Sequence, residues 1–413
     1  MKELFLRVFL HHRQEEIKLG DLAQSGRDIY FEYDADFIAR QLEISPFRLR
    51  LKTGTYHDKQ RMFQGLPGVF YDSLPDGWGL LLMDRYFRQH GLDPGSISPL
   101  ERLAYIGERA MGALSYKPAM EISGAKHEYS IVHLSLLAAE CEQVLQGSEE
   151  DILPELIIAG GSSGGARPKV LIGYNAVAGQ MCTGLEVLPD GFRHYLIKFS
   201  AMTDITDSAE IEQAYALMAK ACGIEMVDTQ LFQIENFGRA FATIRFDRNE
   251  KNERIHMHSL AGLLHADFRS ASLDYVDFLK ATWLLAEDFS MVIEGFRRMV
   301  FNVFMHNRDD HSKNFSYLMT EHGWRLSPAY DLVFSSGIAG EHTMTVAGEG
   351  ANPGKSQLLQ VANQLEIPST EALNIIDQVS IIRDQWLDFA EQAYVPMRSA
   401  SRLKKVFAGL KII

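Results

Sequence analysis

Residues 306–316 read HNRDDHSKNFS, and this stretch is the strongest indicator of the fold class. It combines two histidines, two adjacent aspartates, an arginine, a lysine and two asparagines. Such a cluster has three interpretations: a loop for phosphoryl transfer, a solvated charge-rich turn, or a zinc or two-metal hydrolase site formed by His306, Asp309, Asp310 and His311. The choice among them depends on what the rest of the chain supplies.

The spacing of two residues in this stretch matches phosphoryl-transfer chemistry. Asp309 and Asn314 are separated by four residues, the D-x-x-x-x-N spacing of the protein-kinase catalytic loop. In that loop a carboxylate accepts the proton of the substrate hydroxyl and a carboxamide oxygen holds Mg²⁺, while Lys313 is placed to neutralise phosphoryl charge. Asp331, in SPAYDLV, follows 17 residues after Asn314 and is a candidate second ligand. One Asp and one Asn suit Mg²⁺, which takes few protein carboxylates together with phosphate and water oxygens.

Upstream of this stretch lies a glycine-rich segment, GGSSGGARPK, at residues 160–169. The flanking runs ELIIAG and KVLIGY predict two strands, so the segment is expected to be the tip of a hairpin. Its glycines permit a positive φ, which allows successive N–H groups to converge on an anion such as phosphate. The segment fits neither the Walker A nor the GxGxxG pattern, so a simple flexible hairpin is the alternative. Ser162 and Ser163 are candidate acceptors of a phosphoryl group.

A lysine in an apolar strand follows this segment. Lys198 lies in YLIKF and either marks a sheet edge or points into a cleft to meet a charge. Glu210 and Glu212 begin the next amphipathic helix, and a strand lysine held by a helix glutamate positions nucleotide phosphates in protein kinases. A glycine loop, strand lysine, helix glutamate, D-x-x-x-x-N and later Asp, in that order, favour phosphoryl transfer over a metal cage.

A second group of histidines has a structural and a metal-binding interpretation. His256, His258 and His265 lie within RIHMHSLAGLLH, but no cysteine or carboxylate nearby completes a tetrahedral zinc site. A role in packing or in shaping a peptide groove is therefore the favoured interpretation. In the preceding FDR, Arg248 is expected to pair with a carboxylate.

Composition excludes several classes of protein. With 413 residues, 46% apolar and 23% charged, the chain is long enough for two or three globular subdomains. A net charge of −13 disfavours a general attraction to nucleic acid or an anionic membrane. Three dispersed cysteines suit a reducing compartment, and neither a signal peptide nor an apolar run of about 20 residues is present. The sequence predicts a cytoplasmic protein without a membrane segment.

Taken together, these motifs resemble the HipA family, the serine/threonine kinases that act as toxins in bacterial HipA–HipB modules. The resemblance covers nearly the whole chain. TGTYHDKQRMFQGLPGVFYDSLPDGWG and RLAYIGERAMGALSYKP are similar to the N-terminal subdomain of the family. SSGGARPK resembles its glycine-rich loop, IRFDR its interlobe segment, NRDDHSKNFS its catalytic loop and PAYDLV its metal-binding motif.

The resemblance implies a role for each matching residue. Asp309 would be the catalytic base, with His311 and Lys313 lining the phosphoryl site, and Asn314 and Asp331 would bind Mg²⁺. The residues that would bind ATP are Ser163, Gly164, Gly165, Ala166, Lys169, Lys198, Ile244, Arg245, Phe246, Asn314 and Asp331. Ser162 takes the position of the family's autophosphorylated serine, but Ser163 beside it leaves the phosphorylation site open. Asp310 stands where glycine is frequent and is expected to add negative charge near the transferred group, slowing transfer or recruiting metal.

These inferences combine into one prediction of architecture and function. The fold is α+β and protein-kinase-like: an N-terminal HipA-type subdomain (1–125), a β-rich kinase N-lobe (126–248) and a helical C-lobe (249–413). The function is an ATP- and Mg²⁺-dependent protein kinase and toxin, with a HipB-like helix-turn-helix antitoxin as partner. Any contact with nucleic acid would be indirect, through that antitoxin, and an aminoacyl-tRNA synthetase is one candidate substrate from the family. The alternative is a weakly catalytic nucleotide-binding partner or corepressor of a DNA-binding antitoxin.

Overall fold

A computed structural model describes residues 4–120, 130–147, 152–161, 165–183, 187–200, 207–270 and 272–409. The chain divides into two compact units. Unit 1 contains residues 1–203 and 232–258, and unit 2 contains residues 204–231 and 259–413. The subdomain boundaries expected at 125 and 248 stay predictions.

Unit 1 carries most of the β-structure. Its strands, in chain order and including two that cross a unit boundary (β10 and β12), are β1 (Leu4–His12), β2 (Glu15–Ser25), β3 (Asp28–Tyr33), β4 (Thr55–His57), β5 (Leu114–Lys117), β6 (Ser130–Ile131), β7 (Lys169–Asn175), β8 (Gln180–Thr183), β9 (Arg193–Lys198), β10 (Thr229–Ile234), β11 (Gly238–Ile244) and β12 (His256–Ser259). One sheet has the order β4-β3-β2-β1-β5, and a second has the order β10-β11-β9-β7-β8-β6.

The helices of unit 1 lie between these strands. They are α1 (Ala35–Ala39), α2 (Gly68–Tyr71), α3 (Gly77–Gln89), α4 (Pro99–Ile106), α5 (Leu134–Leu145) and α6 (Pro154–Gly160), with a 3-10 turn at Pro94–Ser96. The start of α4 illustrates why the sequence forms a helix there. Ser98 accepts a hydrogen bond from the Glu101 N–H, the Glu101 side chain bonds back to the Ser98 N–H, and Pro99 occupies the first turn.

Unit 2 is mostly helical, as the sequence predicts. Its helices are α7 (Ser208–Ala221), α8 (Leu260–Leu264), α9 (Tyr275–Ala286), α10 (Phe289–Phe304), α11 (Lys355–Gln364), α12 (Ser369–Asp384), α13 (Trp386–Gln392) and α14 (Met397–Gly409). An antiparallel hairpin joins β13 (Ser316–Thr320) to β14 (Gly323–Leu326), and 3-10 turns lie at Ser312–Asn314 and Ile338–Gly340. The apolar stripe of α10 is buried, with Phe296, Met299 and Val300 inaccessible to solvent.

One predicted element is wrong. ELIIAG was expected to be a strand paired with KVLIGY, but it lies in α6, whose first turn contains Pro154. A short apolar run does not reveal its period, and proline at the first helical position favours a helix start. The glycine-rich segment therefore links a helix to a strand instead of joining two strands of a hairpin.

Both units have apolar interiors of their own. In unit 1, alternate residues of β1 (Leu6, Val8 and Leu10) are buried, as expected of a strand with one face on a core. In unit 2, Tyr215 and Trp386 are buried with their rings in edge-to-face contact. Within the described residues, no helix combines the length and apolar character needed to cross a bilayer.

Candidate active site

The catalytic loop begins where α10 ends. His306 has a φ of 53°, which ends the helical path, and the chain then passes through the 3-10 turn Ser312–Asn314 into β13. The Asp309 side chain is 59% exposed, and its Oδ1 lies 3.9 Å from the His311 Nε2. The Asn314 carboxamide donates a 2.8 Å hydrogen bond to the Asp309 carbonyl. The D-x-x-x-x-N spacing therefore closes a compact loop that brings the predicted base and the predicted Mg²⁺ ligand together.

Lys313 and Asp331 are joined through Tyr330. The Tyr330 hydroxyl donates a 2.6 Å hydrogen bond to the Lys313 carbonyl and lies 2.7 Å from the Ser316 hydroxyl. Asp331 follows Tyr330 directly and has a φ of 57°, a left-handed conformation that is uncommon outside glycine. Such conformations cluster at functional sites, where surrounding contacts maintain them. The Lys313 Nζ lies 4.7 Å from the centre of the Phe268 ring.

Asp310 does not share the solvent-exposed side of the loop with Asp309, and the expected effect of its charge on phosphoryl transfer stays a prediction. Its side chain is fully buried, and its Oδ2 accepts 2.8 Å hydrogen bonds from the Tyr275 hydroxyl and the His342 Nδ1. Its Oδ1 accepts a 2.8 Å hydrogen bond from the Thr343 N–H. Burial, and then the Asp310 carboxylate, raise the pKa of Tyr275 well above its usual value. Asp310 is therefore a structural anchor that turns into the interior while Asp309 faces solvent.

Arg308, on the other side of Asp309, holds the same downstream segment. Its guanidinium donates to the Gly340 carbonyl and, at 2.8 Å, to the Ala351 carbonyl. The Thr343 N–H donates to the Arg308 carbonyl at 3.2 Å. Both sequence neighbours of the predicted base therefore fix residues 340–351.

The geometry argues against the metal-cage interpretation. No group of three His, Cys, Asp or Glu side chains in the described part of the chain could hold a metal ion. His306 is structural, because its Nδ1 bonds to the Ser335 carbonyl at 3.1 Å and its ring stacks on Phe334. The packing interpretation of His256 and His258 is confirmed: the His256 Nε2 bonds to a backbone carbonyl at 2.9 Å, and both rings are buried.

In unit 1, the predicted phosphate-contacting lysines lie on adjacent strands. Lys198 pairs with Lys169 of β7 and with Phe241 of β11 in the strand register. Both lysines are buried, and the Lys198 Nζ lies 5.8 Å from the centre of the Phe241 ring. Lys198 therefore occupies an interior strand, which excludes the edge-strand alternative. Glu210 and Glu212 are buried as well, but they belong to unit 2, so the ion pair stays a prediction.

The predicted adenine segment leaves β11 and enters a buried charged network. Ile244 pairs with Tyr195, and the Arg245 N–H donates to the His194 carbonyl at 2.9 Å. Phe246 next to it is half-buried. Arg245 binds both carboxylate oxygens of Asp247, at 2.9 and 2.7 Å.

Asp247 is the centre of this network. Arg248 donates to its carboxylate at 2.9 Å, which confirms the expected pairing of Arg248. The Gly112 N–H donates to the same carboxylate at 2.7 Å, and the Gly112 carbonyl accepts from Arg248 at 3.0 Å. Burial alone would raise the pKa of Asp247, but Arg245 and Arg248 outweigh it and hold the pKa far below its usual value. The network fixes the interlobe segment to the N-terminal residues of unit 1.

A small cavity of about 70 Å³ adjoins the network within unit 1 and is lined by Arg109, Arg245, Arg248 and Arg254. His194 lines it as well and is buried. Burial, followed by the charges of Arg245 and Arg248, lowers the pKa of His194 to about 3. The imidazole therefore stays neutral at physiological pH among the guanidinium groups.

Some predicted residues fall outside the described part of the chain, and some contributors were not predicted. Ser162, Ser163 and Gly164 lie outside the described residues. Gly165, Ala166 and Lys169 are described, and a Cβ at Gly77 would lie 2.8 Å from the Ala166 Cα. Tyr275 and His342 were missed because their sequence surroundings carry no motif, and only the fold brings them to the catalytic loop. Tyr330 lies within the PAYDLV motif, but its hydrogen bond to the Lys313 carbonyl was not predicted.

Comparison with known proteins gives consistent results. Two family models match the chain: the HipA N-terminal domain over residues 7–117 and the HipA-like C-terminal domain over residues 161–386. A comparison with curated proteins gives no significant match.

Among solved structures, the chain is similar to HipA of Shewanella oneidensis MR-1, which was solved in a complex with HipB and operator DNA. The two chains align with a TM-score of 0.70 and 16% identity, and the alignment covers 98% of this chain and 95% of that chain. The proinflammatory kinase CtkA of Helicobacter pylori aligns with a TM-score of 0.31 and 12% identity, covering 51% of this chain and 92% of that chain. The first alignment shows a shared fold and confirms the predicted fold class.

Proposed function

This chain belongs to the HipA family, and from that premise we propose that it is an ATP- and Mg²⁺-dependent protein serine/threonine kinase of HipA type. The observation that carries the proposal is the opposite orientation of two adjacent carboxylates. Asp309 is exposed beside Asn314, while Asp310 is buried and bonded to three groups of unit 2. The loop is thereby shaped to present one carboxylate, as a general base requires, and not a cluster of metal ligands.

The chemistry of the donor set fits ATP with Mg²⁺. Asn314 and Asp331 supply the carboxamide and carboxylate oxygens that Mg²⁺ accepts, and Lys198, Lys169 and Lys313 supply positive charge for phosphate oxygens. Mg²⁺, when bound, neutralises charge on the phosphates. Asp309 accepts the proton of the acceptor hydroxyl while the hydroxyl oxygen forms a bond to the γ-phosphorus of ATP. The bond between that phosphorus and the bridging oxygen breaks, and ADP leaves. Catalysis then consists of positioning and electrostatic stabilisation.

The decisive experiment replaces the base. Asp309→Ala should lower autophosphorylation from radiolabelled ATP at least about 100-fold, because a positioned general base contributes roughly 10²–10⁴ in rate. Asp377→Ala, at an exposed aspartate on α12, is the matched control and should retain activity. Both variants should unfold at the wild-type temperature, since the Asp309 side chain is 59% exposed.

Retained phosphate incorporation in Asp309→Ala would refute the assignment. Tight ATP binding by the wild type without any phosphate transfer would instead favour the weakly catalytic partner of an antitoxin.

The cellular role follows from the family. We infer that the protein is the toxin of a pair and binds a HipB-like DNA-binding antitoxin, as the HipA it resembles occurs with HipB and operator DNA. Expression of the wild type should slow growth, and Asp309→Ala should not. The phosphorylated serine is Ser162 or Ser163, and the cellular substrate is a protein, with an aminoacyl-tRNA synthetase as the first candidate to test.

A further inference from the structure

Helix α3 of the N-terminal subdomain begins in an unusual way. Asp76 is its N-cap residue, a position whose side chain usually accepts a hydrogen bond from the first turn of its own helix. Asp76 makes no such bond. Its carboxylate accepts instead from the N–H of Gly165, in the glycine-rich segment. In return, the Trp78 N–H, in the first turn of α3, donates to the Gly165 carbonyl at 2.9 Å.

This exchange satisfies groups that would otherwise lack partners. The first four N–H groups of a helix have no acceptor within it, so they require one from elsewhere. Gly165 provides that acceptor for Trp78 and uses the Asp76 carboxylate for its own N–H. Gly165 therefore caps α3 from another part of the chain.

Close backbone contact reinforces these hydrogen bonds. Gly77 has a φ of +46°, and a Cβ at this position would lie 2.5 Å from the Gly165 carbonyl oxygen. Only glycine allows the two backbones to approach so closely. The Trp78 side chain is 1% exposed, and its indole N–H donates to the Lys169 carbonyl at 3.0 Å.

The other end of the glycine-rich segment also lies on α3. A Cβ at Gly160 would lie 2.6 Å from the Leu82 side chain and 3.1 Å from the Trp78 indole nitrogen. Gly160 and the Gly165–Lys169 stretch are therefore both packed against one helix of the N-terminal subdomain.

We propose that the start of α3, Asp76-Gly77-Trp78, positions residues 165–169 of the glycine-rich segment, so that the N-terminal subdomain sets the conformation of this end of the nucleotide-binding loop. The consequence for ATP rests on the proposed function. Residues 165–169, held in place before ATP arrives, do not have to be ordered on binding, and preorganisation of this kind strengthens affinity. The three residues are positioning residues, because they act through Gly165 and Lys169.

The first experiment tests the contact without using any activity. Gly77→Ala introduces a Cβ that meets the Gly165 backbone, and Gly91→Ala is its matched control. Gly91 lies just beyond the same helix with a φ of +72°, so its backbone strain is similar, but nothing lies within 4 Å of its added Cβ. Hydrogen–deuterium exchange should accelerate in peptides covering residues 165–170 in Gly77→Ala and remain at the wild-type rate in Gly91→Ala.

The second experiment separates positioning from general stability. Asp76→Ala should raise the KM for ATP roughly tenfold, the size of one hydrogen bond to a charged acceptor, while kcat changes less than about twofold. Asp76→Asn retains an oxygen that can accept from the Gly165 N–H and should restore most of the affinity. If ATP affinity depended on the negative charge of Asp76 instead of on its hydrogen bond to Gly165, Asp76→Asn would have the same raised KM as Asp76→Ala.

The outcomes distinguish this proposal from the kinase assignment. Equal exchange rates at residues 165–170 in the wild type and Gly77→Ala would overturn the positioning role, whatever the enzyme does. An unchanged or lower KM in Asp76→Ala would overturn its link to ATP affinity. If the wild type transfers no phosphate but the exchange result holds, the kinase assignment fails and the positioning role stands.

Discussion

Each unit of the molecule contains a buried pair of an aspartate and a histidine. In unit 1 the Asp72 Oδ2 lies 2.7 Å from the His258 Nδ1, and in unit 2 the Asp310 Oδ2 lies 2.8 Å from the His342 Nδ1. The chemistry of the two pairs is the same. Their surroundings differ: the His258 Nε2 lies 3.0 Å from the Ser45 hydroxyl, whereas the Asp310 carboxylate is shared with further donors.

The difference shows that the same pair of side chains can stabilise the fold in one place and position a predicted catalytic residue in another. The unit 1 pair joins segments that are distant in sequence, since the paired positions are 186 apart. Its described hydrogen bond beyond the pair is to the Ser45 hydroxyl, so it stabilises the fold. The unit 2 pair is covalently adjacent to the predicted base, so any loss of the pair shifts Asp309 as well.

The unit 1 pair also shows why residue types alone do not define a function. Ser45, His258 and Asp72 have the order and distances of a Ser–His–Asp triad. Ser45 is 1% exposed and His258 is 0% exposed, so a substrate has no access to the hydroxyl. The three residues form a structural hydrogen-bond chain.

Removal of the unit 2 carboxylate should have the largest effect on stability. Asp310→Ala should lower the free energy of unfolding by about 3–5 kcal/mol, because it leaves the buried His342, Tyr275 and Thr343 groups without their acceptor. Urea unfolding measures this loss of stability. The rate of phosphate transfer by the protein that remains folded should also be lower than that of the wild type.

Tyr275→Phe provides a milder test if Asp310→Ala does not fold. It removes one hydroxyl that bridges Asp310 and Asn302 and should cost roughly 1–2 kcal/mol. A loss below about 1 kcal/mol in Asp310→Ala would contradict the anchoring role.

The corresponding change in unit 1 should be smaller and should spare activity. Asp72→Ala leaves the buried His258 Nδ1 without this acceptor and should cost about 1–3 kcal/mol in urea unfolding. At a temperature where the variant is folded, the rate of phosphate transfer should stay within about twofold of wild type. An activity loss equal to that of Asp310→Ala would show that the two pairs do not have separate roles.

The sequence predicted the parts of the site that local spacing determines. Asp309 and Asn314 are five positions apart on one loop, so their proximity needs no knowledge of the fold. The helix α7 was predicted from its apolar period, and Lys198 was placed on a strand from its apolar neighbours. Long, periodic segments are the ones in which local preference and tertiary packing agree.

The rest could not be predicted, because it depends on contacts between distant segments. Asp310 has an acidic side chain next to a predicted base, and only the positions of Tyr275 and His342 show that it is buried. ELIIAG was assigned to a strand because its few apolar residues fit either period. Gly77 and Gly165 are far apart in sequence, so their contact leaves no local pattern.

The smallest predicted effect concerns pH and the surroundings of the unit 1 pair. His256 lies two residues before His258 and is 2% exposed. Burial lowers its pKa from 6.5 to about 4, although its hydrogen bond to the Ile44 carbonyl acts in the opposite direction. Between pH 6.5 and about 4 the unfolded chain therefore binds a proton at this histidine that the folded chain does not bind, so stability falls as the pH falls through this range and is complete above it.

At pH 5.5 this proton should cost about 1.2 kcal/mol relative to pH 7. His256→Gln retains a donor for the Ile44 carbonyl but does not titrate, so it should remove this part of the acid sensitivity in urea unfolding. His322→Gln, at an exposed histidine of unit 2, is the control and should show the full wild-type dependence on pH. If His256→Gln and the wild type lose the same stability between pH 7 and pH 5.5, the buried ring is not the source. The acid sensitivity of unit 1 would then have to come from another buried histidine, such as His194 in the arginine-lined cavity, whose pKa is lowered to about 3.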